Sequence, residues 1–155
     1  MLINPKDKLI LSELQKDSRL SVRELSKRTK VPATTVHDRI RRMVNSSVIK
    51  KFTTILDHEK VGLSTTAIIL VKRAVGRKGK IKHEHIGETL AKLPEVQEVY
   101  VVTGEWDAIL KVRGVNEREI GKWVVDKLWN MPEIDRTLTF FVFHTSKETT
   151  ELKLF

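Results

Sequence analysis

The stretch VPATTVHDRIRRM, residues 31–43, combines hydroxyl, imidazole and guanidinium side chains with an apolar row at helical spacing. Val36, Ile40 and Met43 recur every three or four residues, which predicts an amphipathic helix. At about 100° per residue, the polar side chains fall opposite this row or on its flanks. Short hydroxyls fit between base edges and arginines reach guanine edges or phosphates, so this face suits DNA reading. The side chains assigned to it are Thr34, Thr35, His37, Asp38, Arg39, Arg41 and Arg42.

The alternative is that this face is the solvated side of an ordinary surface helix, and the helix by itself leaves both interpretations open. The neighbouring sequence favours DNA. Ser21 and Glu24 have the spacing of a capping box and begin a preceding helix. The pair Val31–Pro32 then breaks the chain, which predicts a helix-turn-helix. Lys50 and Lys51 follow the second helix, where they are expected to meet phosphate.

Charge is concentrated in the same part of the chain. The 155 residues carry a formal net charge of +9. Residues 1–60 hold 14 Lys and Arg against 7 Asp and Glu, whereas residues 61–155 hold 15 against 13. The first part therefore predicts a polyanionic partner. The run KRAVGRKGKIK, residues 72–82, has six positive charges and no acid. Because loop charges are usually solvated, a contact of this run with DNA stays open.

Several other kinds of chemistry are excluded or disfavoured. The absence of cysteine rules out disulfides, thiolate zinc sites and a cysteine nucleophile. The segment His83–His85 lacks HExxH spacing, so we predict no metal ligands and no cofactor. No nucleophile and base occur at a recognisable spacing and no phosphate loop is present, which argues against an enzyme. The Lys/Arg-Gly-aromatic signature of RNA-recognition sheets is also missing. Without a membrane-length apolar run or a signal peptide, the expected location is the cytoplasm.

The elements that position these residues form two groups. PKDKLILSELQKD adds a first helix to the helix-turn-helix. The later segments STTAIILVK, HEHIGETLAKL, VQEVYVVTG, DAILKVRG, NEREIGKWVVDKLWN and EIDRTLTFFVFHT predict strand, helix, strand, strand, helix and strand. This order is that of a ferredoxin-like βαββαβ domain with a four-stranded antiparallel sheet. We predict an α+β protein with a DNA-binding domain at 1–51, a connector at 52–63 and the ferredoxin-like domain at 64–155.

The predicted strands are apolar on both faces. Two helices cover one face of a sheet, and the other must meet something else. The simplest partner is the same face of a second copy, which predicts a homodimer. Paired recognition helices fit half-sites about 34 Å apart on double-stranded DNA. The connector TTILDHEKVGL has a strand-like beginning and a turn at Gly62, so we expect an ordered hinge.

With these elements in place, the chain resembles, over essentially its full length, the leucine-responsive regulatory protein/AsnC family of feast/famine regulators. The resemblance is carried by Asp7 with the Leu/Ile cluster after it, and by TTVHDRIRRM, VIKKFTTIL, LPEVQEVYVVTGEWDAILKV and RTLTFFVF. Pro32 stands where the family often has Ser, and Ser47 where it often has Gly. The resemblance implies an amino-acid-sensing domain and the assembly of dimers into octamers.

The segment VVTGEWDAIL gains meaning from this resemblance. From the residues alone, the stretch from Gly104 to Asp107 is a tight connection between two strands. The resemblance implies that it is the Gly-x-x-Asp loop at which an amino-acid effector binds between dimers. Asp107 would meet the ammonium group, and Thr103 with the nearby backbone would donate to the carboxylate. The predicted effector residues are Tyr100, Thr103, Gly104, Glu105, Trp106, Asp107, Thr137 and Thr139.

The sequence therefore predicts a sequence-specific transcription regulator whose DNA binding responds to a free amino acid. The alternative is an architectural, chromatin-like protein that compacts DNA without an effector. Footprinting with and without amino acids separates the two, because the architectural protein gives neither discrete sites nor a response.

Overall fold

The computed structural model describes residues 3–74 and 83–155. Most of the basic run at 72–82 therefore lies outside the described residues, as do the side chains of His83–His85. The chain divides into a helical unit, made of Met1–Ile55 and Lys147–Phe155, and a sheet unit, Leu56–Ser146. No helix in the described ranges is long and apolar enough to cross a membrane.

Three helices build the helical unit: α1 (Pro5–Lys16), α2 (Val22–Thr29) and α3 (Ala33–Asn45). The first two begin with complete capping boxes. Asn4 exchanges hydrogen bonds with Asp7 at the start of α1, and Ser21 does so with Glu24 at the start of α2. Each box satisfies backbone N–H groups that a helix start leaves free. The predicted helix-turn-helix is confirmed.

The helical unit has its own apolar core. Lys30 ends α2 in the left-handed region at φ 57° and turns the chain towards α3. Pro32 then occupies the N-cap position of α3, where no side-chain cap is formed within the described chain. Thr29 helps to close the turn, because its hydroxyl donates to Leu25 O at 2.7 Å. The fully buried side chains of the core, or nearly so, are Ile10, Leu14, Leu25, Val31, Val36 and Met43.

The sheet unit has the predicted order of strand, helix, strand, strand, helix and strand. Its elements are β1 (Thr65–Arg73), α4 (His83–Leu90), β2 (Val96–Val101), β3 (Ala108–Gly114), α5 (Glu117–Trp123), a π-helical turn (Val124–Leu128) and β4 (Ile134–Phe141). The strands are antiparallel and lie in the order β2-β3-β1-β4, which confirms the ferredoxin-like arrangement.

One face of the sheet carries the core of this unit. Alternate residues of β1 and β3 point to the helices and are 0–1% exposed, namely Ala67, Ile69, Val71, Ala108, Leu110 and Val112. They pack with Ile86, Leu90, Ile120, Val124 and Leu128 from the helical segments. Gly114 permits the close approach of α5, since a Cβ at Gly114 would lie 2.7 Å from Ile120 Cγ1.

The opposite face of the sheet, which we call the open face, is apolar but exposed. Ile68 pairs with Phe140, and Leu70 pairs with both Leu138 and Ile109, so all five side chains share this face. Phe140 is 50% exposed and Leu138 is 42% exposed. Within one chain this large apolar surface is left in contact with solvent, as the strand pattern predicted.

Packing groups the C-terminal residues differently from the expected domains. We assigned 147–155 to the ferredoxin-like domain, but this C-terminal segment groups with the helical unit. The Gln15 side-chain amide donates to Leu152 O at 3.0 Å, and its carbonyl accepts from Leu152 N at 2.7 Å. Lys8 Nζ also lies 5.7 Å from the centre of the Phe155 ring. These contacts involve residues far apart in sequence, which local patterns do not reveal.

The connector at 52–63 is ordered at its end but lacks the expected strand in the described chain. The His58 Nδ1–H donates to the Leu63 carbonyl oxygen at 2.7 Å, and Gly62 adopts φ +85°. This is the predicted turn at Gly62. The beginning of the connector forms no ladder because a strand requires a neighbouring strand for its backbone hydrogen bonds.

Candidate functional site

The polar face of α3 is exposed along most of its length. Thr34, His37, Asp38, Arg41 and Arg42 are exposed, and Thr35 is half-buried. Within the described ranges, neither arginine forms an ion pair or hydrogen bond. The opposite side of the helix is anchored by Val36 and Met43, which are 0% exposed. The helix thus presents two long cationic side chains on a rigid element.

His37 and Asp38 form a weak pair on this face. His37 Nδ1 lies 3.5 Å from Asp38 Oδ1, and the two side chains are 65% and 63% exposed. An exposed pair of this kind contributes little to stability because solvent competes for both groups. Both side chains therefore remain accessible to a partner.

Arg39 does not belong to the exposed face. Its Nη1 donates to Asp7 Oδ1 at 2.8 Å, with side-chain exposures of 22% for Arg39 and 6% for Asp7. This ion pair ties α3 to α1 inside the helical unit. Because the guanidinium is engaged in this structural ion pair, we no longer assign Arg39 to the DNA-binding face. Its position on the flank of the apolar row was the sequence signal for this second role.

Lys50 and Lys51 are exposed just beyond α3. Ser47 turns the chain there with φ 58°, a left-handed conformation that glycine adopts most easily. Ile49 N then donates to Met43 O at 3.0 Å and fixes the segment that follows. The two lysines therefore extend the cationic surface of the helix from an ordered position.

The second predicted site is the loop from Thr103 to Asp107. Gly104 adopts φ +120°, a conformation that L side chains rarely adopt. Val102 N donates to Asp107 O at 3.0 Å and closes the loop. Asp107 N donates to Val71 O at 3.0 Å and joins the loop to β1.

Asp107 is 8% exposed, and its carboxylate is already engaged. Oδ2 accepts from Arg73 N at 3.0 Å and lies 3.3 Å from Lys72 Nζ. Burial raises the pKa of Asp107, but the Arg73 amide and the Lys72 ammonium outweigh it and hold the pKa below its ordinary value. Asp107 is thus an ionised anchor between the loop and β1.

The rest of the loop is held by cations from neighbouring strands. The Glu105 carbonyl accepts a hydrogen bond from Lys72 Nζ. Its carboxylate lies 3.1 Å from Arg136 Nη2, in a pair whose side chains are 71% and 56% exposed respectively. Arg136 also lies over the Trp106 ring, 5.0 Å from its centre. The loop is thus anchored mainly through the buried Asp107, and it presents an exposed carboxylate at Glu105 and an exposed hydroxyl at Thr103.

The remaining predicted effector residues do not converge on one pocket in this chain. Tyr100 lies opposite Ile109 on the open face, where its hydroxyl donates to Glu98 Oε2 at 2.6 Å. Thr137 and Thr139 pair with core residues of β1 and therefore lie on the helix face. Thr137 Oγ1 accepts from Trp129 Nε1 at 2.9 Å.

Sequence reasoning missed Lys72 and Arg136 as parts of the loop site. Lys72, the last residue but one of β1, pairs with Arg136 on β4, and the same end of β1 pairs with the start of β3. In a ferredoxin-like sheet β1 lies between β3 and β4, and its antiparallel register with them brings both cations to the loop. That register is the signal from which the two residues could have been found. No local spacing in the sequence contains it.

Comparison with known proteins assigns both parts of the chain. Residues 66–152 match the family model described as the Lrp/AsnC ligand binding domain, and residues 3–50 match a model described as winged helix-turn-helix DNA-binding. The two matched ranges correspond to the parts of the chain in which the sequence predicts DNA binding and effector binding.

Relatives and solved structures agree with these matches. The chain is 42% identical over 148 residues to the HTH-type transcriptional regulator FL11 of Pyrococcus horikoshii, covering 96% of this chain and 94% of that one. It is 32% identical over 154 residues to the transcriptional regulator AzlB of Bacillus subtilis, covering 99% and 97%. The crystal structure of the transcriptional regulator NMB0573 with L-Met, from Neisseria meningitidis, has a TM-score of 0.89 and 27% identity, covering 99% and 97%.

A helix-turn-helix unit joined to a ligand-binding domain defines the class of this protein as a transcriptional regulator. The chain belongs to the Lrp/AsnC family. Its relatives are named as transcriptional regulators, a class that in general has no enzymatic activity.

Proposed function

We propose that this protein is a sequence-specific DNA-binding regulator whose binding responds to a free amino acid. DNA binding is supported above all by the exposed face of α3, where Arg41 and Arg42 project from a helix anchored on its other side by the buried Val36 and Met43. Arginines on a recognition helix read guanine edges or hold phosphates. Lys50 and Lys51 would add phosphate contacts beside it.

The effector half of the proposal rests on the loop and on the relatives. The matched family model is a ligand-binding domain, and the similar structure from Neisseria meningitidis contains L-Met. In this chain the exposed Glu105 carboxylate is better placed than Asp107 to meet an incoming ammonium group. Thr103 and the backbone at Gly104 offer donors for the ligand carboxylate. Asp107 then acts as a positioning residue that keeps the loop in its bound shape.

The open face supports a homodimer as the working unit. Burial of exposed apolar side chains is favourable by about 25 cal/mol per Å², and a twofold axis pairs the same face of two copies. A dimer would present two α3 helices to a pseudo-palindromic operator. We expect Phe140→Glu to produce monomers in light scattering, and Val125→Glu, on the helix side, to leave the dimer intact. A dimeric Phe140→Glu variant would contradict this arrangement; assembly of dimers into octamers stays a prediction.

The decisive experiment is footprinting on genomic DNA fragments with and without each of the twenty amino acids. A parallel thermal-shift screen identifies the effector, because a ligand bound by the folded state raises the melting temperature. We expect discrete protected sites whose occupancy changes with at least one amino acid. Continuous protection of all fragments, with no amino acid changing either signal, would favour the architectural alternative.

A further inference from the structure

The segment Leu152–Phe155 lies along α1, and no part of the proposed function uses this contact. The Gln15 side-chain amide bonds both backbone groups of Leu152: its nitrogen donates to Leu152 O at 3.0 Å, and its oxygen accepts from Leu152 N at 2.7 Å. The Phe155 ring lies next to Lys8, whose Nζ is 5.7 Å from the ring centre. We call Leu152–Phe155 the latch segment. Its contacts place it in the helical unit, although the chain reaches it from β4 of the sheet unit.

The two contacts have the spacing of an extended chain on a helix. Gln15 and Lys8 are seven residues apart on α1, a rise of about 10 Å. Leu152 and Phe155 are three residues apart, and an extended chain covers about the same distance over that stretch. A spacing of seven also places Gln15 and Lys8 on one side of the helix. The latch segment therefore follows this side of α1 in the opposite chain direction.

The latch contact is specific in register but shallow. Gln15 bonds backbone groups of Leu152, as a neighbouring strand would do, so it requires an extended backbone at that residue. The side chains contribute less, because Leu152 and Phe155 remain 69% and 65% exposed. Exposed hydrogen bonds add little net free energy, since water competes for both groups. The latch segment is therefore held weakly enough to open and close.

Two stretches of chain connect the helical unit to the sheet unit. The first leaves the helical unit after Ile49, whose N–H donates to a carbonyl of α3 at 3.0 Å, and residues 50–56 form neither helix nor strand. The second leaves the sheet unit after Val142, whose N–H donates to a carbonyl of β1 at 2.9 Å. Residues 143–151 also form neither helix nor strand, and the helical unit is reached again at Leu152. Opening the latch therefore leaves the first stretch as the sole connection.

A second point of attachment changes the freedom of the helical unit. One flexible connection limits the distance between two units but leaves their relative orientation free. Two connections that attach at separate points limit the orientation as well. The attachment points are separate here, because Ile49 follows α3 whereas Gln15 lies on α1. The ion pair of Arg39 with Asp7 joins these two helices, so the helical unit turns as one body.

We propose that the latch segment is a reversible second tether, and that its closure narrows the range of half-site spacings that a dimer accepts on DNA. With the latch closed, each α3 helix keeps a restricted orientation relative to its sheet unit, and the paired helices match half-sites at one separation. With the latch open, the connector alone holds each helical unit, and further separations become accessible. The effect on DNA rests on the proposed function, whereas the opening of the latch does not.

The first test measures the freedom of the helical unit without DNA. The chain contains no cysteine, so Lys27→Cys and Lys122→Cys place one spin label on the exposed surface of each unit. The labelled chain is assembled with an excess of unlabelled chain, and pulsed electron resonance gives the distribution of distances within one chain. We expect Gln15→Ala to broaden this distribution, because it removes both hydrogen bonds to Leu152 and keeps α1 helical.

A backbone variant and two matched controls locate the effect. Leu152→Pro removes the N–H that donates to Gln15, so it should broaden the distribution as Gln15→Ala does. Lys153→Pro adds the same ring one residue later, where the N–H forms no hydrogen bond within the described residues, and it should leave the distribution unchanged. Lys6→Ala is the control on α1, since Lys6 is exposed and lies on the side opposite Lys8.

The second test varies the separation of the half-sites. Base pairs are inserted between the half-sites of a footprinted operator, up to half a helical turn, and affinities are compared for the wild type, Gln15→Ala and Lys6→Ala. A wrongly spaced site must open the latch, so its loss of affinity includes the free energy of closure. Gln15→Ala should reduce that loss by up to about tenfold, the effect of about one to two exposed hydrogen bonds. Affinity at the natural spacing should be nearly unchanged.

The outcomes distinguish failure of the latch from failure of the proposed function. Equal distance distributions in the wild type, Gln15→Ala and Leu152→Pro would overturn the latch, whatever the DNA results. Broader distributions in both variants with an unchanged tolerance of spacing would overturn the effect on DNA. If the wild type protects no discrete sites, the proposed function fails and the spacing effect fails with it, whereas the distance distributions still decide whether the latch restricts the helical unit.

Discussion

The face of α3 and the Thr103–Asp107 loop both carry charged side chains, but they use them in opposite ways. On α3, the side chains of Arg41 and Arg42 are exposed and form no ion pair or hydrogen bond with other described side chains. In the loop, Asp107 is held by Lys72 and the Arg73 amide, and Glu105 is held by Arg136. Charge on the helix is available to a partner, whereas charge in the loop first shapes the loop.

This difference predicts different consequences of mutation. Removing an exposed charge changes binding and leaves stability within about 0.5 kcal/mol. Removing one member of a buried pair leaves the other member desolvated without compensation, so it lowers stability. Stability and binding measurements on matched variants can therefore assign each charged residue to one group or the other.

The largest effect is expected for Arg39→Ala. It would leave the Asp7 carboxylate, which is 4% exposed, without a cation and with only its capping-box partner Asn4, and lower the free energy of unfolding of the helical unit by about 3 kcal/mol. Hydrogen exchange of the α1 and α3 amides measures this local opening. Arg41→Ala, two residues along the same helix, is the control and should exchange as the wild type does. Equal protection in both variants would return Arg39 to the DNA-facing group.

Asp107→Ala should be the next most damaging change. It removes the acceptor of the Arg73 amide and the partner of Lys72, and charged hydrogen bonds of this kind contribute about 2 kcal/mol. Thermal unfolding followed by tryptophan fluorescence reports on the sheet unit, which contains all three tryptophans. Glu105→Gln should unfold like the wild type but bind the screened amino acid more weakly in calorimetry. The reverse pattern would make Asp107 the direct ammonium partner.

At the DNA face, Arg41→Ala should cost about 1 to 3 kcal/mol at the operator and relax its specificity. Lys50→Ala should weaken all sequences alike and lower the slope of log affinity against log salt by about one. Filter binding over a salt series, with operator and random DNA, measures both effects. Equal losses on the two DNAs for Arg41→Ala would make Arg41 a phosphate contact.

The smallest expected effect is on the acid side of the stability curve. Because the folded-state pKa of Asp107 lies below its ordinary value of 3.8, its contribution to stability is complete above that value. The contribution is lost as the pH falls through the lower, folded-state pKa. The difference in melting temperature between the wild type and Asp107→Asn should therefore shrink below about pH 4. A constant difference down to pH 2.5 would show that the charge of Asp107 is not what stabilises the loop.

The same contrast explains what the sequence predicts and what it does not. The helices, the order of helices and strands along the chain, and the exposed face of α3 follow from periodicity and capping, which are local patterns. The ion pair of Arg39 with Asp7 spans 32 residues, and the contact of Lys72 with Glu105 spans 33. Such pairings depend on how the elements pack. Knowledge of the fold class alone does not supply them, because Arg136 reaches the loop only through the sheet register.

The C-terminal segment, Lys147–Phe155, has a consequence for chain connectivity. Since it joins the helical unit, the sheet unit is an insertion of residues 56–146 between two segments of the same unit. Closing so long a loop is entropically costly while the insertion is unfolded, and cheaper once its own ends are fixed by folding. A ligand that stabilises the sheet unit would thereby favour attachment of Leu152 to Gln15. A chimaeric regulator built by domain exchange consequently needs two splice points, and one cut after Ile55 would leave nine residues of the helical unit on the wrong partner.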